Sequence, residues 1–152
     1  MSHDRCRTTA LVERVAGLRK AKAEQSLADA LIRENEQQQQ VQSSTDRLLA
    51  TEHALNALSV SRKFDVSRAA LYQTLLTAQD VKLKSDEGTL QVRKNARLTR
   101  ASELARVAHY HDEASRRARD AVHERKALLD KRTAESLIES WVLRGIRETS
   151  HE

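Results

Sequence analysis

Phe64–Leu83 reads FDVSRAALYQTLLTAQDVKL, and it decides the fold. Everything before it and after it has helical composition. A turn just upstream makes the chain a hairpin, and an uninterrupted helix makes it a single rod. The stretch Ser59–Arg68, SVSRKFDVSR, breaks the pattern. Ser59, Val60, Ser61, Val66 and Ser67 are weak helix formers, and Phe64 stands among charges. Asp65 is placed to cap the free N–H groups of a helix that follows. The expectation is therefore a turn at about 59–66, with Leu71, Leu75 and Ala78 opening a second helix.

Composition supports helices on both sides. The chain has 152 residues, no proline and three glycines, where roughly 7 prolines and 10 glycines are ordinary at this length. Ala, Leu, Glu, Arg, Lys and Gln dominate, and they lose least side-chain freedom in a helix. Phe64, Tyr72, Tyr110 and Trp141 are the only aromatic residues, fewer than a globular core of this size uses. The reading is an all-α chain. It is a single coiled-coil domain over 1–152, with helix 1 at about 9–58 and helix 2 at about 66–146, packed antiparallel.

In helix 1, Thr8 or Thr9 is the expected N-cap. From Leu27, steps of four and three land on 27, 31, 34, 38, 41, 45, 48, 52 and 55, a diluted heptad stripe that includes Leu48 and Leu55. The earlier set Leu11, Val15 and Leu18 is out of phase with it, which predicts a stutter near Ala21–Gln25. Gln37–Gln40 reads as a solvated helix segment. In helix 2 the stripe runs Leu71, Leu75, Ala78, Val81, Leu83, Leu90, Leu98, Ala101, Leu104, Ala108, His111, Ala118, Val122 and Leu129, then Leu137, Ile138 and Trp141. Gly88 is the expected bend, and Arg144 followed by Gly145 the expected stop. Helices of roughly 50 and 80 residues differ in length by about 45 Å. Helix 1 is thus expected to cover helix 2 only to about Arg116, leaving Leu128, Leu129, Leu137, Ile138 and Trp141 projecting. An apolar stripe with no internal partner asks for an external one.

The formal charge is +5. Residues 91–132 hold twelve Lys/Arg and six Asp/Glu, a net +6, of a sign that suits nucleic acid, an anionic membrane or an acidic protein. A solvated face with i,i+4 pairs such as Asp112–Arg116 accounts for it more simply. The segment lacks the interleaved aromatics of single-strand binders and feeds no clean zipper, so nucleic acid is the weaker reading. The lone Cys6 rules out an internal disulfide and a cysteine-based zinc site. No apolar run approaches the ~20 residues of a membrane span, and the start has no apolar signal core, so a cytosolic location is expected.

Catalytic patterns are missing. The three glycines are too scattered for a phosphate loop, and there is no G-x-S-x-G elbow. His109 and His111 are two apart and diverge on a helix; His111 reads as a tolerated seam residue. The expectation is a protein without enzymatic activity, cofactor, metal or small-molecule substrate, which works by binding other proteins.

Two segments carry a resemblance. Leu71-Tyr72-Gln73-Thr74-Leu75 with Ala78 is similar to the x-Q-T-L-x-x-A pattern that opens the second helix of the FliJ family of flagellar export chaperones. Leu129-Asp130-Lys131-Arg132 with Ala134-Glu135 resembles that family's C-terminal LD-K segment. More loosely, the chain resembles the YscO-type stalk proteins of virulence type III secretion. The resemblance implies an antiparallel coiled coil at the cytoplasmic face of the inner membrane. Its C-terminal helix would enter a FliI-like hexameric export ATPase through Leu128, Leu129, Leu137, Ile138 and Trp141. Its hairpin end would meet a FlhA-like export-gate protein through Leu71, Leu75 and Ala78, with Leu48 and Leu55 as neighbours on helix 1. Export chaperones are further possible partners. The alternatives are a virulence-system stalk and a generic homodimeric coiled coil built from one continuous helix.

Overall fold

The computed structural model describes residues 2–60 and 65–149, with side chains from residue 4 to residue 144. The chain is all-α. Helix α1 spans Ser2–Val60 and helix α2 spans Val66–Thr149, and the two pack against each other. Among the described residues there is no strand. The expected turn falls largely on residues 61–64, which lie outside the described set, as does Phe64. Asp65 does cap α2: its Oδ1 accepts a 3.2 Å hydrogen bond from the Arg68 amide, and its carbonyl accepts one of 3.0 Å from the Ala69 amide.

Both helices are longer than the sequence suggested. α1 starts at Ser2, so Thr8 and Thr9 sit inside it. Their hydroxyls turn back on the helix, Thr8 to the Asp4 carbonyl and Thr9 to that of Arg5, as threonine does in a helix interior. Nothing in residues 2–8 breaks a helix, and Asp4 in the first turn complements the dipole. At the other end α2 runs through Gly145 to Thr149. A glycine stop needs a positive φ, and no described glycine has one.

By its contacts the chain divides into two compact units, one of residues 1–21 with 106–152 and one of residues 22–105. In the unit of residues 22–105 the less exposed α1 positions include 23, 27, 30, 34, 37, 41, 44, 48, 51, 55 and 58, with 26, 43, 45 and 54 flanking them. Steps of three and four alternate throughout, as in a strict heptad. Opposite them α2 offers 69, 72, 76, 79, 83, 86, 90, 93 and 97. Alternate members of the expected α1 stripe (Leu27, Glu34, Val41, Leu48, Leu55) are in the seam. The others give way to their neighbours Ala30, Gln37, Ser44 and Thr51, leaving Leu31 exposed. At 30/31 and 51/52 the seam takes the smaller side chain and leaves the larger outside.

The expected start of the α2 stripe is displaced by one residue. Tyr72, Leu76 and Gln79 are partly buried, while Leu71, Leu75 and Ala78 are exposed. The reason is visible seven residues on. Leu76, Leu83 and Leu90 repeat at the heptad interval, whereas 71, 75 and 78 lead on to Lys82, Ser85 and Thr89. Val81 and Leu98 also lie outside the seam. The heptad of α2 is unbroken, since Leu76, Leu83, Leu90, Arg97, Leu104, His111, Ala118 and Arg125 all fall at less exposed positions. Helix α1 keeps its period through residues 21–25, where the stutter was expected.

Polar groups pin this seam. Ser44 Oγ donates to Asp86 Oδ2 at 2.7 Å, and Gln37 Nε2 donates to the Asp86 carbonyl at 3.1 Å. Gln37 is therefore a seam residue, while Gln38–Gln40 are solvated. Arg97 Nε lies 2.7 Å from Glu34 Oε2, with both side chains mostly covered.

In the other unit α1 contributes Cys6, Thr9, Glu13, Ala16 and Lys20, again on the heptad, and α2 contributes His111, Ala114, Ser115, Ala118, Ala121 and Arg125. Leu11, Val15, Leu18 and Val122 point to solvent. Ser115 Oγ donates to Glu13 Oε1 at 2.8 Å, and Arg5 pairs with Glu124 at 3.0 Å. The covered part of α2 therefore reaches past Arg116, where it was expected to end. Among the described residues, five of the six buried apolar ones are alanines (Ala16, Ala69, Ala114, Ala118, Ala121), Leu90 being the sixth. A buried alanine contributes one methyl group, about 0.8 kcal/mol, against up to ~3 for a leucine. The gain from small seam residues is close approach of the helices.

Candidate functional site

Two exposed apolar surfaces stand out, one in each unit. In the unit of residues 22–105, Leu71, Leu75 and Ala78 sit at i, i+4 and i+7 of α2, which places them on one face of the helix. Leu71 is 70% exposed and Leu75 46%. Together with Arg68, Tyr72 and Thr74 they line a shallow groove. The seam holds Tyr72 in place, so one wall of the groove is ordered by packing. Arg68 is anchored at its base, its Nε lying 3.8 Å from the cap residue's Asp65 Oδ2. Thr74 keeps its hydroxyl on the Ala70 carbonyl at 3.0 Å, so it presents its methyl group to the groove more readily than a donor.

Leu48 and Leu55 are half-buried at seam positions of α1 and are not part of that lining. The structure thus separates the five candidate gate-side residues: three form an open surface, and two hold the helices together. Sequence reasoning missed Arg68, although it completes the same spacing three residues before Leu71.

The second surface is the end of α2. Every described residue from 126 to 144 is exposed, including Leu128, Leu129, Leu137, Ile138 and Trp141, the last at 79%. At ~100° per residue, Ala134, Ile138 and Trp141 fall roughly 140–200° around the helix from Ala118. They face away from the line that carries the α1 contacts. Leu129, at ~20°, and Leu128, at ~280°, instead continue the side that faces α1, so the exposed end carries apolar residues around much of the helix, Val142 among them.

Charges are locally paired. Glu113 pairs with Arg117, Asp80 with Lys84 at 2.6 Å and Arg100 with Glu103 at 2.8 Å. The pair expected between Asp112 and Arg116 is replaced by the Glu113–Arg117 pair, and Asp112 Oδ1 lies 3.4 Å from His111 Nδ1. His111 packs in the seam near Gly17, where a Cβ would lie 3.7 Å from Nε2, an ordinary van der Waals contact. Among the described residues no three His, Cys, Asp or Glu side chains gather into a metal-binding group. No helix among them is long and apolar enough to cross a membrane.

Compared with protein-family models, with curated proteins and with solved structures, the chain gives no match. What can be said of its role rests on the two surfaces and on the sequence segments that form them.

Proposed function

We propose that this chain is a non-enzymatic stalk or chaperone of a flagellar type III protein export apparatus, which links a hexameric export ATPase to the export gate. The observation that carries the proposal is the exposed apolar end of α2. Leu128, Leu129, Leu137, Ile138 and Trp141 are all exposed, and exposed apolar area of this extent in a helix is suited to burial against a partner. In this reading that end of the helix enters the ATPase ring. Leu71, Leu75 and Ala78, within the Q-T-L segment, meet the gate protein. The exposure of these three residues supports that assignment, because side chains consumed by the helix seam have nothing left to offer a partner. The protein would work in the cytoplasm, peripheral to the inner membrane. A virulence-type secretion stalk rests on the same features. A homodimer of continuous helices accounts less well for the ion pair between Arg5 and Glu124 within one chain.

The test is a pull-down of the full chain with a hexameric export ATPase and, separately, with the cytoplasmic domain of the gate. Removal of residues 128–152 should abolish ATPase capture and spare the gate. L71A/L75A should do the reverse. Capture of both partners by both variants would refute the assignment.

A further inference from the structure

On the unit of residues 22–105, a groove between the helices is lined by Ser26, Asp29, Ala30 and Arg33 of α1 and by Arg93, Ala96 and Arg100 of α2. Ser26, Ala30 and Arg33 recur at helical spacing on one side, and Arg93, Ala96 and Arg100 on the other. Small residues make the floor and arginines the rim. One residue further along each helix, Glu34 and Arg97 neutralise each other, so that carboxylate is spent. Arg100 is held by Glu103 through one nitrogen. Arg33 and Arg93 form no ion pair or hydrogen bond among the described residues, and neither does Asp29, although it stands four residues before Arg33. The Ser26 hydroxyl is likewise without a hydrogen bond there, unlike those of Ser44 and Ser115.

We propose that this groove binds a phosphoryl group. Guanidinium forks match phosphate oxygens two at a time, and an ammonium does not. Three arginines from two helices surround one floor, which suits a ligand of high charge density over a single carboxylate. Alanines at 30 and 96 let a tetrahedral group come close to the helix backbones, and the Ser26 hydroxyl adds a neutral donor. Asp29 opposes binding by like-charge repulsion and sets the affinity through that opposition. The phosphoryl group belongs to a soluble di- or polyphosphate or to a phospholipid headgroup. The proposal does not depend on the export role.

The experiment measures pyrophosphate binding to the full chain by calorimetry at low salt, and cosedimentation with phosphatidylglycerol vesicles. Arg33→Ala and Arg93→Ala should each weaken binding about tenfold, the loss of a charge-assisted contact. Asp29→Asn should strengthen it. Arg93→Lys should recover only part of the affinity, because the charge returns without the fork. Arg116→Ala removes the same charge elsewhere and should leave binding within about twofold of wild type. Pyrophosphate binding without cosedimentation identifies a soluble ligand, and cosedimentation sensitive to Arg93→Ala identifies a lipid. Circular dichroism confirms that each variant keeps its helix content. The proposal is overturned if neither probe binds, if Arg116→Ala weakens binding as much as Arg93→Ala, or if Asp29→Asn has no effect.

Discussion

Ser44, 5% exposed, donates a 2.7 Å hydrogen bond to the Asp86 carboxylate across the seam between α1 and α2. A serine at a heptad core position adds little apolar burial, so its value lies in the partner it selects. Ser44→Ala should destabilise the protein by about 1.5 kcal/mol, the low end for a hydrogen bond to a charged group. Urea denaturation followed by circular dichroism will measure it. Ser44→Ala combined with Asp86→Ala should cost less than the sum of the single changes; strict additivity would show that the two residues do not act as a pair.

The Glu34–Arg97 pair tests the same idea with charge. Its distance is 2.7 Å, and the side chains are 19% and 35% exposed. Some solvent screening remains, so Glu34→Gln is expected to cost about 1 kcal/mol. The loss should shrink when Arg97→Leu is added, because the uncompensated cation is then gone.

Leu71 and Leu75 lie outside the seam and Leu90 inside it. Leu71→Ala or Leu75→Ala should change stability by no more than about 0.5 kcal/mol, while Leu90→Ala should cost about 2. A large loss of stability at Leu71 would move that residue back into the core and remove the docking surface.

Gly88 has open space where a side chain would point and no positive φ. Gly88→Ala should therefore stabilise α2 by up to about 1 kcal/mol, read as a rise in the thermal midpoint. No change would mean that the helix is locally strained at this position.

Lys84 is held protonated above the usual lysine range by its hydrogen bond to Asp80, with the charge of Asp80 adding to the effect. The stabilisation is fully present below the ordinary lysine pKa and is lost as pH rises through the raised value. It therefore acts at neutral pH and disappears only in alkali. Asp80→Asn should lower the Lys84 pKa, which side-chain NMR titration can follow. Because the lysine is fully exposed, the change in stability should be small.

Much of this fold can be read directly from the residues. The absence of proline, the scarcity of glycine and the good helix formers make two long helices nearly unavoidable, and Asp65 marks where the second begins. The heptad leucines at 27, 48 and 55, and at 83 and 90, name half of the seam correctly. The other half was not legible. At 71/72, 75/76 and 30/31 two adjacent residues compete for one inward position, and the sequence pattern alone points to Leu71, Leu75 and Leu31 where the structure turns Tyr72, Leu76 and Ala30 inward. In a two-helix seam the choice depends on the opposite helix. Ser44 is inside because Asp86 faces it.

The two candidate surfaces divide in the same way. That Leu137, Ile138 and Trp141 are left exposed among the described residues is what the unequal helix lengths alone lead one to expect. That they face away from the α1 contacts depends on helical phase counted from Ala118. The Arg33, Arg93 and Arg100 groove belongs wholly to tertiary structure, since its rim comes from residues about sixty positions apart, joined only when the helices pack. Helix formation is local, decided by propensity over a few turns. Which face is covered and which is left for a partner is a property of the pair of helices, set by polar contacts and small side chains whose worth depends on what stands across from them.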